Sequence, residues 1–370
     1  MKNSFGSSVC LTLFGESHGP AIGAVLDGIA PGIELDMEFI ECRMQQRQAS
    51  GALSTSRREP DKVQILSGVF EGKTCGTPIC LLIENTNTKS ADYDSMKKLM
   101  RPGHADFTAN CKYHGFQDYR GGGHFSGRIT AALVAAGAVA QLALRGKGIR
   151  IATHISRCAG IEDRHFDSVS PSVEDMDALD TVAFPVLDEK VAQLMRQAIL
   201  EAKAQGDSVG GVLETVVTGL PAGVGEPWFD TVEGLLSHAL FSVPAIKGVS
   251  FGGGFALSDM RGSQANDPMG MENGRVITET NNAGGINGGI TNGMPLLFSC
   301  AVKPTPSIAV KQRTVNVESL EDAELSVTGR HDPAIIHRAR AVVDAVTALT
   351  LCDMLALRFG TDWLTRERQQ

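Results

Sequence analysis

The chain has no basic tail, no run of lysine or arginine longer than two, and no interleaving of aromatic with basic residues. Nucleic acid is therefore excluded as the main partner, because phosphate-backbone binding needs clustered cations. Cysteine pairs are also missing. Cys10, Cys42, Cys75, Cys80, Cys111, Cys158, Cys300 and Cys352 are scattered, with no CxxC and no Cys/His zinc spacing. The expectation is no metal and free thiols in a reducing cytoplasm. Aromatics are few, with 2 Trp, 3 Tyr and 15 Phe in 370 residues, so the core must rest on Ala, Val, Ile and Leu. The start of the chain lacks the basic, apolar and small-residue succession of a signal peptide. The longest apolar run, Ile129 to Leu144, falls short of the ~20 residues that span a bilayer; it reads as a buried helix, and no membrane partner is expected. No Pro-rich, Ser-rich or charge-block linker interrupts the sequence, so residues 1–370 read as one domain with a frayed tail at 360–370.

What is abundant is glycine, with 41 residues where ~7% would be usual. With 42% hydrophobic and 21% charged residues this is a folded chain. Its net charge is −8, yet Arg57, Arg58, Arg101, Arg120 and Arg128 sit among glycines and histidines. Clustered arginines in an acidic chain suit a small anion; surface ion pairing is the bland alternative.

Short β-branched segments predict strands at Val9–Phe14, Val63–Phe70, Ile79–Glu84, Arg150–Ser156, Val212–Thr218 and Leu296–Val302. Helices are predicted at Met37–Gln48 after the N-cap Asp36, at Arg128–Arg145, at Val186–Gln205 and from Pro333 to Phe359. The third should present Leu187, Val191, Leu194 and Ala198 as its apolar stripe. The segments starting at Val25 and at Val216 resemble each other over nine residues, each carrying glycines at the same two places. That admits an internal duplication; chance similarity of turn-rich segments is the alternative.

The glycine loops fit no standard nucleotide motif. The segment from Gly68 to Thr74 is one residue short of a Walker A loop, and Gly121 to Ser126 ends in serine where a dinucleotide fingerprint needs glycine. Gly15-Glu16-Ser17-His18-Gly19 matches the GxSxG nucleophile elbow, but the Pro20, Gly23 and Gly28 that follow are poor helix material. The better reading makes His18 the working residue, a titratable group held at a strand end. His104 lies in a tight turn between Arg101 and Asp106, and His124 follows three glycines. The other histidines have ordinary surroundings. Asp332 before Pro333 is an even choice between helix cap and site residue.

Taken in order, Gly15 to Gly19, Gly28 to Gly32, Arg57-Arg58-Glu59-Pro60-Asp61, Leu66 to Phe70, Arg101-Pro102-Gly103-His104-Ala105-Asp106, Tyr119 to Gly123, Ala283 to Gly289, Lys303-Pro304-Thr305 and Gly329-Arg330-His331-Asp332-Pro333 resemble the chorismate synthase family over nearly the whole chain. The resemblance implies an α+β fold, a β-α-β sandwich with antiparallel sheets around helices, assembled as a homotetramer. It implies a lyase that converts 5-enolpyruvylshikimate 3-phosphate to chorismate and phosphate by anti-1,4-elimination, with reduced FMN and with NADPH as one source of electrons. By the same resemblance, His18 is the general acid at the leaving phosphate, His104 stands beside the flavin and Asp332 relays a proton. His124, Phe125, Ser126, Gly288, Lys303, Pro304, Thr305, Pro306, Ser307 and Arg330 fall at flavin-binding positions. Ser17, Arg47, Arg57 and Arg128 are the expected substrate contacts.

The chain departs from the family pattern around Met44 to Ala52, where only Arg47 remains of an arginine cluster, with Arg43 one turn earlier. His124, Phe125, Gly127 and Ile129 replace a common Arg-Ser-Ala-Glu variant, and Ala334, Ala341 and Asp344 are further differences. A serine hydrolase using Ser17 and a non-catalytic flavin-binding protein are the rival readings.

Overall fold

The computed structural model describes residues 2–49, 51, 53–54, 60–86, 98–327 and 332–365. Two five-stranded antiparallel sheets enclose two long helices. The first sheet contains β1 (Ser4–Phe5), β2 (Cys10–Gly15), β3 (Ala21–Asp27), β4 (Gln64–Ser67) and β5 (Ile79–Glu84), in the order β1-β2-β3-β5-β4. The second contains β6 (Arg150–Cys158), β7 (Ile161–Glu162), β8 (Gly211–Thr218), β9 (Ile246–Phe251) and β10 (Leu296–Val302), in the order β9-β10-β8-β6-β7. The helices are α1 (Met37–Arg47), α2 (Asp106–Tyr113), α3 (Thr130–Gly146), α4 (Val173–Thr181), α5 (Glu189–Ala204), α6 (Val232–Leu240) and α7 (Ile336–Phe359).

Helix α3 packs on the first sheet, α7 on the second, and the two pack on each other. Alanine dominates α3, and this lets the backbones approach closely: a β-carbon on Gly137 would lie 2.2 Å from Ala345 Cβ. Nearly every residue of α7 from Ile336 to Ala356 is buried, each large aliphatic side chain contributing roughly 1.5–3 kcal/mol. The two helices run parallel. Arg47 bonds Thr130 at the start of α3 and its carbonyl receives Arg338 from the start of α7; at the other end Lys147 lies over the Trp363 ring. Helix α3 and the turn before it form a 20-residue apolar stretch long enough to cross a membrane, but 83% of it is buried inside the protein, the expected core helix. All eight cysteines are free.

The duplication is visible in the topology. The succession β2-β3-α1-β4-β5-α3 in the first half repeats as β6-β8-α6-β9-β10-α7 in the second. Each central strand ends in the same turn: Gly28 and Gly219 both have φ +80°. Thr74 receives the amide of Ile33 and donates to the carbonyl of Ala30. Thr291 does the same for Val224 and Pro221. A second echo in sequence follows from it, Thr-x-Gly-x-Pro before β5 and again before β10.

Two sequence expectations need correction. The last helix begins at Ile336, not Pro333, and Asp332 does not cap it. Helix α5 turns Ala192, Met195 and Ile199 inward, leaving Leu194 54% exposed, so its buried stripe is one position away from the expected one. The segment after Gly19 is strand β3, as its poor helix material led one to expect, and this removes the nucleophile elbow.

Candidate active site

The long connections that lead from β5 to α3 and from β10 to α7 meet at the N-terminal ends of those helices. Parallel helices direct the positive ends of both macrodipoles to one place, a favourable setting for anions.

The β2–β3 turn carries Ser17 and His18, both buried. Asn85 holds this turn through the carbonyls of Glu16 (3.0 Å) and Gly19 (2.8 Å). Ser17 Oγ donates to the carbonyl of Arg120 at 3.1 Å and lies 3.0 Å from His18 Nδ1. A hydroxyl has one proton, already committed to Arg120, so it must accept from His18 Nδ1–H. In the neutral ring the proton is then on Nδ1. The same use of its only proton leaves Ser17 unsuited to a nucleophile's role.

Gly121, Gly122 and Gly123 all have positive φ and run against both site histidines. A β-carbon on Gly121 would be 2.2 Å from His18 Cε1, and one on Gly122 would be 3.0 Å from His104 Cε1. The glycine triplet thus brings His18 and His104 to neighbouring residues of one loop. Asp118, gripped by Arg120 at 2.8 Å through Nε and Nη2, stays well below the usual carboxylate range, chiefly because of those hydrogen bonds. His124 Nδ1 donates to the carbonyl of Gly15 at 2.8 Å, Phe125 packs edge-on against Tyr113, and Ser126 Oγ accepts the amide of Arg128.

Arg47 and Arg128 are buried and grip the two oxygens of Asp61. Arg47 also donates to Thr130 Oγ1 (3.0 Å) and to the carbonyl of Gly127 (3.0 Å); Arg128 donates to Asn85 Oδ1 (3.0 Å). Asp61 has φ +44°, a strained value for a residue with a side chain. Arg43 points elsewhere, to Asp180 at 2.6 Å, and does not substitute for the missing arginines. Asp332 pairs with Arg338 at 2.6 Å, whose Nε reaches the carbonyl of Arg47 at 2.9 Å. Asp61 and Asn85 were not singled out from the sequence; an acid between two arginines distant in the chain leaves no local signature.

Lys303 Nζ donates to the carbonyl of Gly103, next to His104, and a β-carbon on Gly103 would touch Pro306 at 3.3 Å. Ser208 holds the carbonyl of Thr305 at 2.7 Å, and the adjacent Val209 amide bonds the carbonyl of Pro333 at 2.8 Å. These contacts gather Lys303, Pro304, Thr305, Pro306 and Ser307 with His104 and Asp332. Gly288 is not among them. It is exposed in the turn between residues 286–287 and 290–291, beyond the opposite end of β10, about 20 Å away at ~3.3 Å per residue. Arg57 and Arg330 lie outside the described residues.

Two histidines set against one loop, amid arginines and two helix N-termini, form a setting suited to proton transfer on an anionic small molecule. The chain's family is shown by comparison. The chorismate synthase family model matches residues 9–356. The chorismate synthase of Aeropyrum pernix is 46% identical over 96% of this chain and 93% of its own length. That of Thermococcus gammatolerans is 44% identical over 98% of this chain and 99% of its own. A crystal structure of chorismate synthase superposes with a TM-score of 0.76 at 29% identity, covering 97% of this chain and 94% of that one. The chain belongs to the chorismate synthase family and catalyses the chorismate-forming lyase step of aromatic amino acid biosynthesis.

Proposed function

We propose that the elimination takes place between the N-termini of α3 and α7, with 5-enolpyruvylshikimate 3-phosphate as the substrate. The observation that carries this reading is the glycine triplet, which sets His18 and His104 against adjacent residues, Gly121 and Gly122. His18 acts from its doubly protonated form: Nε2 delivers its proton to the departing phosphate, and the neutral ring left behind keeps its remaining proton on Nδ1 against Ser17. Arg128 and Arg47, held at fixed spacing by Asp61, form the cationic wall for the carboxylates and phosphate, and Arg57 is expected to contact the substrate as well. Asp332, anchored by Arg338, takes up the proton lost from carbon.

The residues present fit a flavin. Thr305 Oγ1 is buried with no hydrogen-bond partner among the described residues, in the segment that touches the His104 turn. Lys303 through Ser307, Arg330, His124, Phe125 and Ser126 would hold FMN. Bound there in its reduced form, FMN would lend electron density as the C–O bond to phosphate breaks and recover it as the proton is lost. Arg101 would supply positive charge beside a reduced, anionic flavin, with the His104 ring next to it. Gly288 reaches such a site only from another copy of the chain. The proposed homotetramer offers one, and the exposed Trp228 and Phe229, in the Glu226–Thr231 segment against which Gly289 packs, suit a contact between copies. The free cysteines agree with a reducing cytoplasm.

The test is anaerobic. Protein, dithionite-reduced FMN and 5-enolpyruvylshikimate 3-phosphate are mixed, and phosphate release and chorismate absorbance are followed. Both products are expected, with none from oxidised flavin; NADPH in place of dithionite tests the electron source. His18→Ala and His104→Ala should each lower turnover by roughly 10- to 10⁴-fold with an unchanged circular dichroism spectrum. Wild-type rates in either variant would remove that histidine from the mechanism. FMN binding without turnover would favour a binding protein and direct attention to residues 43–52.

A further inference from the structure

Arg101 and Asp106 sit at the two ends of the turn that holds His104. Arg101 grips both carboxylate oxygens of Asp106, Nε to Oδ2 and Nη2 to Oδ1, each at 2.7 Å, and its backbone amide adds a third bond to Oδ2 at 3.1 Å. His104 Nδ1 lies 2.8 Å from Asp106 Oδ1. Arg101 Nη2 stands 3.2 Å from the same ring nitrogen, which can accept from Arg101 in one tautomer or carry its own proton towards Asp106 in the other. The carboxylate oxygen 2.8 Å away favours the second, because an unprotonated Nδ1 would set its lone pair against that negative charge.

We infer that Asp106 is a positioning residue for the elimination, fixing His104 with its proton on Nδ1 and Nε2 turned to the reacting groups. A carboxylate held by an arginine through two side-chain bonds and one amide does not take up a proton near neutrality; those bonds and the His104 contact keep it far below the usual carboxylate range. It can therefore only accept, and the nitrogen facing it must carry hydrogen. The Gly122 backbone supports the other edge of the ring: its β-carbon position is 3.0 Å from Cε1 and 3.4 Å from Nε2. The ring is thus held on both sides, by a carboxylate at Nδ1 and by side-chain-free backbone near Nε2. Asp106 acts through His104 and need not touch the substrate.

This inference rests on the proposed place of His104 in the reaction, and the experiment separates the two. Asp106→Asn keeps size and shape, but its amide oxygen is drawn to the Arg101 donors. Its NH₂ then faces Nδ1 and demands an acceptor there. Histidine ¹⁵N NMR of the full chain, with His104→Gln for assignment, reads the tautomer without any turnover. The expected result is Nδ1–H in the wild type and Nε2–H in D106N. The kcat of D106N should fall about 10²- to 10⁴-fold, with KM for substrate within a few-fold. Asp106→Glu keeps a carboxylate in reach and should retain the wild-type tautomer and more turnover than D106N. An unchanged tautomer in D106N, or an Nε2–H form in wild type or D106E, overturns the inference. If D106N does not fold, the wild-type and D106E spectra decide it. Full activity in H104A with the tautomer switch still present would sink the role of His104 and leave the Asp106 geometry standing.

Discussion

Gly121 has no room for a β-carbon. Its φ is +60°, and the added atom would sit 2.2 Å from His18 Cε1 and 2.9 Å from Ser17 Oγ. Both objections act on the same side chain, so alanine there must displace the imidazole or the loop. The backbone strain is about 1–3 kcal/mol, small against the stability of a core this size. Gly121→Ala should therefore fold and lose at least ~10-fold in turnover, the low end for a misplaced proton donor. Steady-state kinetics beside a thermal melt checks this. Wild-type turnover would show that the loop yields and that His18 is not held by it. At Gly121 and Gly122 the glycine has this physical meaning: backbone there passes directly against the His18 and His104 rings.

At the scale of elements, the second sheet carries a charged cluster on strands β6 and β8. His154 is fully buried between Asp163 (3.3 Å) and Glu214 (2.9 Å), and Glu214 also holds His165 and the amide of Phe166. Asp163 takes the amides of Leu187 and Asp188 at the start of α5. Burial disfavours a charged His154, but its two carboxylates outweigh burial and raise its pKa; both carboxylates are lowered in return. The sign follows. The histidine's contribution is full below its ordinary value near 6.5 and fades as pH rises through the raised folded value. The carboxylates contribute above their ordinary values near 4 and lose that contribution as acid reaches their lowered ones. His154→Gln leaves two buried acids short of their cation and should cost about 3–5 kcal/mol. Melts across pH should show the gap to wild type widest near pH 5–6.5 and narrower towards pH 9. A gap independent of pH would mean that His154 is neutral in the fold.

None of that cluster could be read from the sequence, because residues 154, 163, 165 and 214 meet only when β6 pairs with β8. The same limit explains α5. Leu187, Val191, Leu194 and Ala198 and the observed Ala192, Met195 and Ile199 are both acceptable helical stripes, and only the sheet beneath decides between them. Helices α3 and α7 were legible because long runs of alanine, valine and leucine have one use in a water-filled world, burial between sheets. His18 and His104 were legible because glycine and proline hold them in turns. Asp61, Asn85 and Asp106 were not assigned roles, since each works through a partner that folding supplies.

For the whole molecule, the duplication determines where chemistry can occur. Each half supplies one sheet, one central helix and one long connection into that helix. The first connection brings His104 and the glycine triplet, the second brings Lys303 through Ser307 and Asp332. The shared feature is the parallel pair α3 and α7, which pack tightly where Gly137 meets Ala345, a β-carbon on Gly137 lying 2.2 Å from that of Ala345. Overpacking that point should cost about 1–3 kcal/mol and separate the two N-termini that face the site. Gly137→Ala should therefore lower the melting temperature, and also turnover, although it lies two helical turns from Thr130. Ala345→Gly removes the opposing methyl. The double variant G137A/A345G should recover part of the stability lost by G137A, a coupling of about 0.5–3 kcal/mol, because the new β-carbon still meets the Cα of residue 345 at 2.5 Å. Equal losses in the single and double variants would mean that the helices meet elsewhere. Recovery of stability without recovery of turnover would mean that the spacing of the helix N-termini does not govern the site.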